Sequence, residues 1–140
     1  MINNNLSEED IIKKYNNDWF EISRHQYLTE DFIRKYQDEL YWYYISTCQI
    51  LSEDFIIEFK EKVYWKYIFI YQKLSEKFII EHVTEYKDKV DWEYISWYKN
   101  LSLQFIKDNI DNLSIEKLLC NENISKEIKQ ELKMYFDILE

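Results

Sequence analysis

The feature that most constrains this chain is that it repeats itself. Residues 51–73, LSEDFIIEFKEKVYWKYIFIYQK, have a near copy opening at Leu28 (LTEDFIRKYQDELYWYYISTCQI) and a longer one at Leu74. Fainter copies open at Leu6 and Leu101, and a last half-unit starts at Ile124. Trp19, Trp42, Trp65 and Trp92 stand 23, 23 and 27 residues apart, and Ile115 follows 23 further on. A fixed period of this length is the mark of stacked supersecondary units, none of which buries its apolar face without a neighbour.

Each unit reads as two short helices. Ser7, Thr29, Ser52, Ser75, Ser102 and Ser125 directly follow the Leu or Ile that opens a unit, where a hydroxyl accepts an orphan backbone N–H as an N-cap. Phe55, Ile56, Phe59 and Val63 then share one helical face, as do Phe32, Ile33, Tyr36 and Leu40. In the Leu101 unit Asn109 interrupts the stripe of Phe105, Ile106 and Leu113. The second helix begins at the Trp, capped by Asp18, Asp91 or Ser114, with Tyr41 and Tyr64 as departures. Ile22, Ile45, Ile68, Ile95 and Leu118 lie three residues later on the same side.

Two such helices with a short connection fold into an αα-hairpin. The predicted fold is therefore all-α, a short α-solenoid of stacked helix-turn-helix hairpins. It is expected to form a single repeat domain over residues 1–140, with units starting near Leu6, Leu28, Leu51, Leu74 and Leu101 and a capping helix from Ile124. The four extra residues of the Leu74 unit should lengthen its first helix by about one turn. Asn3-Asn4-Asn5 with the turn at Asn16, and a tail face of Ile124, Ile128, Leu132, Tyr135 and Leu139, should close the two ends. Because the chain has no Gly, left-handed helix caps are expected at Asn, Asp or Lys, as at Lys99-Asn100 and Asn121-Glu122-Asn123.

Composition narrows the function classes. Hydrophobic residues at 46% exclude a disordered chain, and charges interrupt every apolar run well short of the roughly 18 residues a membrane span needs. The N-terminus lacks the basic and apolar regions of a secretory signal, so a cytoplasmic location is expected. The net charge of −9 is spread thinly, and no basic patch is present to grip phosphates, so no direct nucleic-acid binding is expected. Without Gly, neither a P-loop nor a dinucleotide-binding fingerprint is possible. Cys48 and Cys120 lie in different repeats and read as free thiols; His25 and His82 share no ligand spacing with them. No metal, no other cofactor and no catalytic residues are expected, and the chain reads as a non-enzyme.

LSEDFI followed by Trp-x-Tyr-Ile-Ser and Tyr-Gln-Lys resembles a short helical repeat found in proteins of large DNA viruses and of phages of AT-rich bacteria. The resemblance covers residues 28 to 100 and implies a helical array of viral or mobile-element origin. The absence of Gly, Pro and Ala, with sixteen Lys against Arg24 and Arg34, fits an AT-rich genome independently.

Three features are candidates for function. Tyr44, Tyr67 and Tyr94 occupy one repeat position, with Tyr71 and Tyr98 a turn beyond the last two, and Tyr rows are suited to protein interfaces. Ile57 and Ile80 hold a position taken by charged residues elsewhere, which makes them a candidate apolar patch. Glu8, Glu30, Glu53 and Glu76 form an acidic row that either complements helix dipoles or imitates a phosphate backbone. The leading expectation is a protein-binding repeat module acting through one face of its array. The alternative is a small acidic anti-defence inhibitor of phage or viral origin, anti-CRISPR-like, that occupies the nucleic-acid-binding surface of a host enzyme. In both readings the partner is another protein, not a membrane, and the oligomeric state is left open.

Overall fold

The computed structural model describes residues 6–136. Among these residues the regular structure is entirely helical: α1 (Glu8–Lys14), α2 (Trp19–His25), α3 (Glu30–Lys35), α4 (Trp42–Cys48), α5 (Glu53–Glu58), α6 (Trp65–Tyr71), α7 (Glu76–Val83), α8 (Trp92–Tyr98), α9 (Leu103–Asp108), α10 (Ile115–Cys120) and α11 (Lys126–Tyr135), with a 3₁₀ turn at Lys87–Lys89. The chain forms two compact units, Met1–Leu74 and Ser75–Glu140. In the first, α2 packs on α4 and α4 on α6; in the second, α8 packs on α10. Each unit is thus a stack of αα-hairpins, the α-solenoid architecture expected.

All six Ser and Thr caps form. The Thr29, Ser52, Ser75, Ser102 and Ser125 hydroxyls each accept the N–H three residues ahead at 3.1–3.3 Å, and Ser7 accepts that of Asp10 at 3.2 Å. Asp18, Asp91 and Ser114 cap second helices, whereas Tyr41 and Tyr64 make no side-chain cap bond. The Trp42 and Trp65 indole N–H groups donate to the Gln37 and Lys60 carbonyls, at 2.9 and 3.0 Å, and fasten the turn inside each hairpin. Helices of six or seven residues do not persist alone in water. Packing holds them: Phe55, Ile56, Phe59, Val63, Trp65 and Ile68 of one hairpin are all buried, at about 2 kcal/mol for each fully buried side chain.

A polar ladder runs through these stacks. Gln49 Nε2 donates to the Ser23 and Gln26 carbonyls (3.0 and 2.8 Å), while its Oε1 accepts the Leu28 N–H (2.9 Å). Gln72 repeats all three bonds one hairpin later, on Ser46, Gln49 and Leu51. In the second unit Asn121 donates to the Ser96 and Lys99 carbonyls, both at 2.9 Å. A serine row lies beside it: Ser23, Ser46 and Ser96 donate to the carbonyl one turn back and accept the N–H of Tyr41, Tyr64 and Ser114 in the next hairpin. No buried side-chain nitrogen or oxygen among the described residues lacks a partner.

The ladder corrects the expected left-handed caps. Lys99 and Asn121 end their helices in extended backbone, as do Gln26, Gln49 and Gln72. At the ends of α2, α4 and α8, carbonyls that a glycine cap would satisfy locally are taken by the neighbouring hairpin's amide instead. Positive φ among the described residues occurs at Asn16 (51°) and Asn17 (62°), in the tight turn after α1.

The lengthened helix is realised only in part. α7 has eight residues where α3 and α5 have six, and the rest of the insertion forms a turn and the 3₁₀ segment. The stretch EYKDK offers only Tyr86 for burial, too little to hold another turn of helix. At the tail, Ile124 and Leu132 are buried and Ile128 is half-buried, but Tyr135 is 62% exposed beside Phe136 and Lys107. It keeps the helical phase of Ile128 and Leu132 but stands in the last turn of α11. Leu139 and Asn3-Asn4-Asn5 lie outside the described residues.

Candidate functional site

The two sides of the first unit are braced by different chemistry. Along the first helices the braces are charges. The Arg34 guanidinium grips Glu58 of the next hairpin through Nε (2.9 and 3.0 Å) and Nη2 (2.8 Å), and binds Asp31 at 2.9 Å. Lys35 pairs with Glu8, and Lys62 with Asp38 at 2.8 Å. Hydrogen bonds from Arg34 and Lys35 hold the Glu58 and Glu8 carboxyls below the usual glutamate range. Their contribution to stability is therefore complete above the ordinary glutamate pKa and is lost as pH falls through the lowered folded value. Arg34→Ala should return Glu58 to the ordinary range in a side-chain carbon NMR titration; an unchanged midpoint would mean that the pair is not what lowers it.

Along the second helices the braces are rings. α4, WYYISTC, carries no charged residue, and α6 carries only Lys66. Tyr43 meets Tyr44 and Tyr67 edge-on, both at 5.0 Å, and Tyr64 at 6.0 Å. Tyr67 stacks on Tyr71 at 6.2 Å, while Phe20 of α2 meets Tyr44 at 5.0 Å and Tyr41 at 5.6 Å. The neighbouring Tyr67 phenol, then burial, holds the Tyr43 hydroxyl above its ordinary range. Much of this surface faces solvent: Tyr41 is 51% exposed, Tyr43 41%, Tyr64 50% and Tyr71 58%. Beside it lies an open cleft of about 630 Å³, walled by Leu40, Trp42 and Val63 and rimmed by Tyr41 and Tyr64.

The expected Tyr positions divide accordingly. Tyr44 and Tyr67 are half-buried, Tyr71 is exposed, and all three join one aromatic surface through Tyr43. In the second unit Tyr94 and Tyr98 pair at 4.6 Å, with Trp97 at 6.1 Å from Tyr98. There Lys117 lies over Trp97 and pairs with Glu93, so an ion pair interrupts the rings. Tyr41, Tyr43, Tyr64 and Phe20 were missed as site residues. The available signal was the pair of Tyr residues standing 23 apart where Asp or Ser should cap a helix.

The acidic row is engaged within the fold. Glu30 Oε1 accepts the Ser52 N–H at 2.7 Å, and Glu76 accepts the Ser102 N–H and, at 2.8 Å, its hydroxyl. Glu8 takes Lys35 and the Tyr36 hydroxyl, and Glu53 is engaged as well. A carboxylate thus ties one hairpin to the first-helix cap of the next. Glu30→Ala should lower stability by about 1 kcal/mol in urea denaturation, the usual worth of one exposed charge-assisted bond. No loss at all would return the row to free surface charge.

Ile57 is 37% exposed and Ile80 50%, one in each unit. Cys48 and Cys120 are both exposed free thiols. Among the described residues no group of three or more His, Cys, Asp or Glu is arranged to hold a metal ion, and no helix is long and apolar enough to cross a membrane.

Fold and surface together define the class, an all-α solenoid whose first unit has a charge-braced side and an aromatic side. No protein-family model, curated protein or solved structure matches the chain.

Proposed function

We propose that this is a non-enzymatic protein-binding repeat module, of phage or viral origin, that acts through the second-helix face of its first unit. The observation that carries the reading is the exposed ring surface of Tyr41, Tyr43, Tyr64 and Tyr71, joined through Phe20, Tyr44 and Tyr67, around a helix without charge. Tyr supplies large rigid contact area at low entropic cost and dominates interface hot spots. Contiguous apolar surface left exposed on a small domain marks an interaction site. Inhibition by phosphate mimicry has weaker support, because Glu8, Glu30 and Glu76 each already serve a bond within the stack. Placing a photo-crosslinking residue at Thr47 of α4, and separately at Asp31 of α3, tests the face in a low-GC host lysate. A partner should be captured from position 47; capture from position 31 alone would overturn the assignment.

A further inference from the structure

We propose that the cleft between Tyr41 and Tyr64 takes an extended, proline-rich segment of the partner in the polyproline II conformation, an inference that rests on the aromatic face being a protein-docking surface. The first support is register. Tyr41 and Tyr64 hold the same position in successive hairpins and each leaves about half its surface exposed on a rim of the cleft. Successive packed helices lie about 8–10 Å apart. One polyproline II turn, three residues at about 3.1 Å each, advances about 9.3 Å. An extended proline helix therefore sets two residues, three apart, against these two rings.

The second support is hydrogen-bond complementarity. Among the described residues neither the Tyr41 nor the Tyr64 hydroxyl has a partner, so the rims offer free O–H donors. The Trp42 indole N–H at the base is already spent on Gln37. An occupant with unsatisfied carbonyls can use these donors. An α-helix uses its carbonyls internally, whereas polyproline II leaves them all free and proline has no N–H to bury.

The third is charge. Asp38 and Lys62 neutralise each other at 2.8 Å, and Lys62 also donates to Gln37 and lies over Trp42. With α4 uncharged, Glu61 is the cleft residue whose charge is left unpaired, and it is solvent-exposed at the edge. An uncharged segment adds no charge to the paired Asp38 and Lys62, and Glu61 keeps its solvent at the edge.

The test is a ¹⁵N NMR titration of the full chain with a deca-proline peptide, and with an uncharged alanine-based helical peptide of equal length. The expected result is saturable shifts of the Trp42 indole and the Tyr41 and Tyr64 amides with deca-proline only, unchanged by added salt. Tyr41→Phe with Tyr64→Phe should keep the spectrum dispersed yet weaken binding at least fivefold. Equal saturation by the helical peptide, no saturation by deca-proline, or concentration-dependent broadening of the same resonances by a second copy would each overturn the proposal. If deca-proline fails while position 47 still captures a partner, the occupant's chemistry is wrong and the docking face stands. If both fail, the docking face falls with it.

Discussion

Gln49→Ala should destabilise the protein by about 3 kcal/mol or more, a large share of the roughly 5–15 kcal/mol that holds a domain folded. The side chain is 4% exposed and satisfies two carbonyls and one N–H that belong to other residues. Removing it orphans three buried backbone groups at about 1–3 kcal/mol each, less whatever entering water recovers. Gln26 is the internal control. It begins the row, donates to the adjacent Tyr27 carbonyl and accepts from Lys14, so Gln26→Ala should cost clearly less. Urea denaturation followed by circular dichroism measures both. Equal losses at the two positions would mean that the bonds between hairpins contribute nothing beyond side-chain packing.

The second large effect is on association. Tyr43→Ala combined with Tyr64→Ala removes the centre of the ring surface, which α4 and α6 share. Interface hot spots are worth about 2–4 kcal/mol, so affinity for the partner should fall by about 30- to 1,000-fold. Far-UV circular dichroism should stay helical, because neither ring lies in the buried core. Tyr94→Ala with Tyr98→Ala in the second unit should leave affinity within a few-fold of the parent. The reverse ranking would move the docking surface to the second unit.

Much of the fold was legible because its determinants are local and recur. A hydroxyl at the cap, an acid in the first turn and apolar residues at helical spacing act within one hairpin, and Ser52, Phe55 and Ile56 declare them directly. The bonds between hairpins were not read, although Gln26, Gln49 and Gln72, like Ser23 and Ser46, stand 23 apart. Gln and Ser carry no apolar signal, and a buried amide looks like a solvated one until its partners in the next repeat are known. Misplacing the helix caps followed from the same gap, since the amide of the neighbouring hairpin replaces a left-handed residue. The Glu row reads in sequence as dipole complementation or phosphate mimicry; its bonds to the Ser52 and Ser102 N–H groups reach across the repeat and show only in the stack. Lys99 stands where the ladder has Gln, and burial holds its ammonium below the usual lysine range.

The candidate site was half legible. Tyr44, Tyr67 and Tyr71 could be found because they keep register with the Trp positions. Tyr41 and Tyr64 were hidden by their rank as imperfect caps. Tyr43 shares its repeat position with Phe20, Lys66 and Glu93, so its role depends on which neighbours surround it and not on the repeat itself.

Hydroxyl-radical footprinting of the isolated chain and of the complex it forms would test the docking face most directly, since the label reacts with exposed aromatic rings. Labelling of Tyr41, Tyr43, Tyr64 and Tyr71 should fall together on binding while Ile57 and Tyr135 stay unchanged. Undiminished labelling of those four rings, with protection appearing on α3 and α5 instead, would contradict the account.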